Sequence, residues 1–120
     1  MYVDESPSSV VVGIDGSEAA VGVALWAIDE AVARDIPLRL VYAIDPREPV
    51  HRDADSLAHR FATAEIAVRY TFMAVEASEQ PVKIEIEIVQ DDPVATLIRA
   101  SRSAVMVCVG ASRQDRKSVV

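Results

Sequence analysis

The residues of this chain best suited to chemistry are Asp15-Gly16-Ser17, which follow the β-branched run Val10-Val11-Val12-Gly13-Ile14. A carboxylate and a hydroxyl flanking a glycine at a strand end can accept hydrogen bonds from a polar ligand. They can equally close a turn and start a helix, with Asp15 or Ser17 as the cap. Ser17 and Ser112 both fall in turns with neither histidine placed beside them by the sequence, so no hydrolytic triad is read. His51 and His59, with Asp53 and Asp55 between them, miss the i, i+4 spacing of a helical two-histidine metal site, and they read as solvated residues. Glu85 and Glu87 share one strand face and read as charges that keep an edge from pairing. The expectation is a domain with no catalytic residue and no metal ligand, not a dedicated enzyme.

Charge and composition narrow the partners. The sequence carries 12 basic and 19 acidic residues for a formal charge of −7, a repulsive mean field for any phosphate-rich polymer, so nucleic acid is excluded as a partner. Aromatic residues make up only 5%, too few for a base-stacking platform. Met1–Ser9 contains Asp4 and Glu5 but no basic cluster or apolar core, so no secretory signal is read, and no stretch approaches membrane-spanning length. Cys108 has no second cysteine to pair with and lies in the apolar run Val105–Val109, where a thiol packs as a small hydrophobe. A cytoplasmic, reducing environment is expected, and 120 residues suffice for one core.

The elements that must position Asp15–Ser17 follow from periodicity. After the first strand, Glu18–Arg34 is rich in helix formers, with Val21, Leu25, Ile28 and Val32 on one stripe that Trp26 and several alanines widen. Pro37 ends the helix before a second strand, Leu38–Ile44. A polar loop over 45–53 leads into a helix reaching about Ser78, with Leu57, Phe61, Ala64, Val68, Phe72 and Val75 on one face. Val82–Ile88 alternates apolar with Lys83, Glu85 and Glu87, the pattern of an edge strand. Asp92 caps a third helix with Pro93 at its first position and Val94, Leu97 and Ile98 facing inward, and Val105–Gly110 is the fourth strand.

Alternating strands and helices predict an α/β fold, a doubly wound parallel sheet whose ligands bind beyond the carboxyl ends of the strands. The loops Asp15–Ser17 and Gly110–Arg113 meet at that end if the first and fourth strands are neighbours, an adjacency the sequence leaves open.

Val11–Ser17, the alanine-rich helix containing Ala24 to Ala27, Leu40–Ile44 and Val105–Gly110 together resemble the universal stress protein family over residues 10–112. The resemblance implies a Rossmann-like sheet of order 3-2-1-4-5, a role in the stress response, and dimers formed through the fifth strand or by pairing of tandem domains. It also implies a branch that binds ATP, with Mg2+, and a branch that does not. Carried onto this sequence, the nucleotide site comprises Ile14, Asp15, Gly16, Ser17 and Ala43, with Gly110, Ala111, Ser112 and Arg113. The ATP branch has a loop of glycine, two residues, glycine, nine residues, then glycine before serine or threonine, whose backbone N–H groups close on phosphate. Gly110 supplies the first glycine, but Arg113 stands at the second; Arg113, Arg116 and Lys117 offer charge in place of fixed amides. Residues 111–120 are also too few for the family's last helix and strand, so 1–120 is read as one domain incomplete at its carboxyl end. A domain that binds no nucleotide and acts by dimerising is the alternative.

Overall fold

A computed structural model describes residues 8–47 and 56–110. In chain order the elements are β1 (Ser9–Gly13), α1 (Glu18–Arg34), β2 (Leu38–Ile44), α2 (Ser56–Ala77), β3 (Ile84–Gln90), α3 (Pro93–Ser101) and β4 (Ala104–Val109). All pairings are parallel, and the strand order is β3-β2-β1-β4. The alternating strand is therefore at an edge, and β1 and β4 are neighbours, so the order of the sheet reverses between β1 and β4.

Strand alternation divides the core into two layers. Val10, Val12, Leu38 and Leu40 pack beneath α1 and α2, while Val11 and Val41 pack with Ala100 of α3 on the other face. Toward the β3 edge that second face turns polar: Arg39 of β2 lies 3.7 Å from Glu85 and 3.8 Å from Glu87. The two glutamates thus face a cation across the strand pair, which adds a partner to the edge-guarding role expected from sequence. Ser9 Oγ is buried without a hydrogen-bond partner among the described residues, beside the register irregularity between β1 and β4.

The expected stripes are met in part: Val21 and Ile28 of α1 and Ala64, Val68 and Val75 of α2 are buried, and Val32, Phe72 and Leu97 pack against the core, while other expected positions are exposed. In α1 the buried residues are Ala20, Val21, Ala24, Ala27, Ile28 and Ala31, whereas Leu25 is 40% and Trp26 54% exposed. Alanines at i, i+4, i+7 and i+11 let the helix backbone lie close to the sheet, whose own valines and leucines fill the space. In α2, Ala64, Ala67, Val68, Thr71 and Val75 are buried, and Leu57 and Phe61 are exposed. In α3 the buried pair is Thr96 and Ala100, with Val94 and Ile98 facing outward. β3 begins at Ile84, two residues later than its alternating pattern, because pairing with β2 starts only at Leu38.

Candidate functional site

A cavity of about 290 Å³ opens at the carboxyl ends of β1, β2 and β4, against one side of α3. Gly13, Ile14 and Asp15 enter it from β1, Val41, Tyr42, Ala43 and Asp45 from β2, and Val109 and Gly110 from β4. Pro93, Thr96 and Leu97 of α3 form the facing wall. The location follows from the topology. The order of the sheet reverses between β1 and β4, and the crevice lies at the carboxyl ends of the strands beside that point.

Of the residues expected at the site, Ile14, Asp15, Ala43 and Gly110 line this cavity. Gly16 and Ser17 do not. Gly16 takes φ +87°, which gives the turn its shape, and Ser17 caps α1 by accepting the Ala20 N–H at 3.1 Å. Of the two cap candidates, then, Ser17 holds the helix, while Asp15 Oδ1 accepts the Ser17 N–H at 2.9 Å. Asp15 is exposed, and its second carboxylate oxygen has no hydrogen bond among the described residues. Ile14 is buried and donates its N–H to the Val41 carbonyl at 2.8 Å, fixing the start of the Asp15 turn against β2. Ala111, Ser112 and Arg113, with Arg116 and Lys117, lie outside the described residues.

Gly110 has a packing role that the sequence did not reveal. A Cβ there would stand 2.7 Å from the backbone carbon and oxygen of Ala19, so the chain leaving β4 passes directly against the first turn of α1. A glycine serves that contact whether or not a ligand is bound.

Sequence reasoning did not name Asp45, Pro93, Thr96 and Leu97 as site residues. A signal existed: in an all-parallel sheet β3 runs in the same direction as β2, so the Asp92-Pro93 start of α3 had to emerge at the carboxyl end of the sheet. Asp92 accepts the Ala95 N–H at 2.9 Å as the cap, and buried Thr96 donates its hydroxyl to the Asp92 carbonyl at 2.9 Å. Asp45 is held by Arg47, whose Nε and Nη2 donate to its two oxygens at 3.1 and 3.2 Å. These hydrogen bonds hold the Asp45 carboxyl below its usual range. Arg47 also donates to Asp92 Oδ1. Asp45 therefore has its charge matched, and Asp15 is the cavity carboxylate with an oxygen to offer.

Among the described residues no group of three or more His, Cys, Asp or Glu could hold a metal ion. His59 is exposed on α2, and His51, Asp53 and Asp55 lie outside the described residues. Burial pushes the Cys108 thiol up, and its side chain packs against the α1–α2 core. No described helix is long and apolar enough to cross a membrane.

The sequence profile of the universal stress protein family matches residues 8–119. Universal stress protein Rv2028c of Mycobacterium tuberculosis is 58% identical over 92% of this chain, and the chain spans 40% of that relative's length. Among solved structures, a universal stress protein family member from Burkholderia pseudomallei superposes with TM-score 0.68 at 22% identity, over 98% of this chain and 91% of that one. An Arabidopsis thaliana family member with AMP bound gives TM-score 0.59 at 15% identity, over 88% and 77%. A universal stress protein in complex with cAMP gives 0.56 at 23%, over 82% and 66%. By the extent of the profile match and the identity to Rv2028c, the chain belongs to the universal stress protein family.

Proposed function

We propose that this domain binds an adenine nucleotide, ATP by expectation, at the carboxyl ends of β1, β2 and β4, and serves as a regulatory module of the stress response and not as a dedicated catalyst. The observation that carries this reading is one cavity that gathers Asp15, Ala43 and Gly110 from three different strands. The unoccupied Asp15 oxygen suits a ribose or base donor, and the β2 backbone at Ala43 offers main-chain groups that need no particular side chain. Two structural relatives with AMP and cAMP bound support the ligand class. Mg2+ would arrive on the phosphates of ATP, since the described residues form no metal cluster of their own. The single cysteine fits the expected cytoplasmic setting.

Calorimetric titration of the 120-residue chain with ATP and Mg2+, AMP and adenosine tests this. Saturable binding of the adenine ligands is expected, with Asp15→Ala weakening each by roughly tenfold or more, as befits a charged hydrogen bond. Absence of binding by folded protein overturns the reading.

A second reading rests on β4. Val105 and Val109 are 48% and 58% exposed, as are Val94 and Ile98 of α3 in comparable degree, and among the described residues β4 pairs on one side only, with β1. An apolar strand with an open edge is a template for another chain, which fits a homodimer or a paired tandem domain. Sedimentation of the chain at graded concentrations separates this from a monomeric nucleotide binder.

A further inference from the structure

We propose that Arg47 is a positioning residue of this cavity, tying its strand wall to its helix wall without touching the ligand. The proposal rests on the nucleotide reading above. Arg47 follows the end of β2 and is not part of the cavity lining; its side chain is 71% exposed. Its guanidinium holds Asp45, which does line the cavity, through paired hydrogen bonds at 3.1 and 3.2 Å, and its backbone N–H donates to Asp45 Oδ1 at 2.9 Å. The same Nη2 reaches Asp92, the residue that caps α3 and immediately precedes Pro93 on the facing wall. One planar cation thus bridges two carboxylates that belong to the two sides of the cleft, a fork geometry to which arginine is suited and lysine is not.

Asp92 divides its two oxygens between these tasks: Oδ2 holds the Ala95 N–H and Oδ1 takes Arg47. The carboxylate that starts α3 therefore also adds a side-chain brace to the end of β2, where the Asp91 N–H already donates to the Ile44 carbonyl at 3.0 Å. Without Arg47, two like charges would be left beside each other, and at this corner the backbone alone, through the Asp91 N–H on the Ile44 carbonyl, would tie the start of α3 to the end of β2. A ligand filling the cavity would then have to supply part of that ordering itself and would bind more weakly.

This bridge has a signature that separates it from a simple charge effect. Arg47→Ala removes a positive charge and Asp92→Asn removes a negative one while leaving an oxygen to cap Ala95. If the two residues acted only through the local field, the variants would shift affinity for an anionic nucleotide in opposite directions. As a bridge, both weaken binding in the same direction, by roughly threefold to tenfold, and the double variant is little weaker than either single one. Arg47→Lys, which keeps the charge but loses the fork, recovers only part of the loss.

The test is calorimetric titration of the whole chain and these four variants with adenosine and with AMP at near-physiological salt, where fields between exposed charges are screened beyond about 8 Å. Unfolding temperatures without ligand are recorded alongside. The expected result is a similar loss for adenosine and AMP in each variant. A loss that grows from adenosine to AMP in Arg47→Ala shows a direct phosphate contact and overturns the positioning role. Opposite effects of Arg47→Ala and Asp92→Asn reduce the pair to a field effect, and a lowered unfolding temperature with unchanged affinity reduces it to a structural ion pair. If the unaltered chain binds neither ligand, the nucleotide reading itself fails, and that outcome is distinct from all of these.

Discussion

At Gly110 packing alone requires a glycine, independently of the proposed ligand. The close approach of the β4 exit to Ala19 leaves no room for a methyl group: the nearest atoms are backbone, which cannot swing aside as a side chain would. Gly110→Ala is therefore expected to destabilise the fold by about 1–3 kcal/mol, the range for overpacking, even with no nucleotide present. Chemical denaturation of the apo protein measures this directly. If stability is unchanged and only ligand binding falls, the glycine serves the ligand alone and the packing argument is wrong. Asp15 divides its two oxygens. One oxygen is taken by the Ser17 N–H and the other is open, so the turn it closes leaves an oxygen available for the proposed ligand, and loss of the carboxylate reports on both.

Helix α1 shows how an element can be recognised while part of its buried face is misread. Its length, its Ser17 start and its stop before Pro37 were legible because capping residues and prolines act locally. Its buried face was legible only in part: Val21 and Ile28 are buried as expected, but apolar residues occur nearly all round the helix and the larger ones, Leu25 and Trp26, outweigh alanines in any reading of hydrophobic strength. What decides the matter is distance: the helix crosses the middle of the sheet, where Val10, Val12, Leu38 and Leu40 already fill the layer, and only small residues fit against them. The expected consequence is an inversion of the usual rule. Ala27→Leu, at a fully buried position, should cost about 1–3 kcal/mol, whereas Leu25→Ala should cost less than about 1 kcal/mol. Equal costs in urea denaturation would mean that Leu25 packs as its hydrophobicity suggests. The cavity end of the sheet was legible from strand–helix alternation, and so were Asp15 and Gly110 as loop residues. The bridge from Asp45 through Arg47 to Asp92 was not, because its ends are distant in sequence and no local pattern marks a contact between them.

Across the whole molecule, carboxylates at and near the cavity couple folding to acid. Arg47 holds Asp45 below its ordinary 3.8, chiefly through the side-chain hydrogen bond. Asp91 is lowered from the same value, first by the Asp92 N–H at 2.7 Å and then by Arg99 at 3.1 Å. Asp45 follows the end of β2 and Asp91 the end of β3, where the chain turns into α3. Because their folded values are depressed, the unfolded chain takes up protons first as pH falls. Their stabilising contribution is complete above the ordinary carboxylate value and disappears as pH drops through the lower folded values. The formal charge of −7 acts in the other direction over a different range: approaching pH 5 relieves general self-repulsion before these pairs are touched. Stability should therefore hold or rise slightly from pH 7 to about 5 and fall below about 4. Asp45→Asn, which cannot take up that proton, should start lower at neutral pH and show a shallower decline in acid. Urea midpoints from pH 3 to 7 for both proteins decide it. Parallel curves would mean that the exposed Asp45–Arg47 contact contributes nothing beyond its geometry, and that the acid response arises elsewhere in the chain.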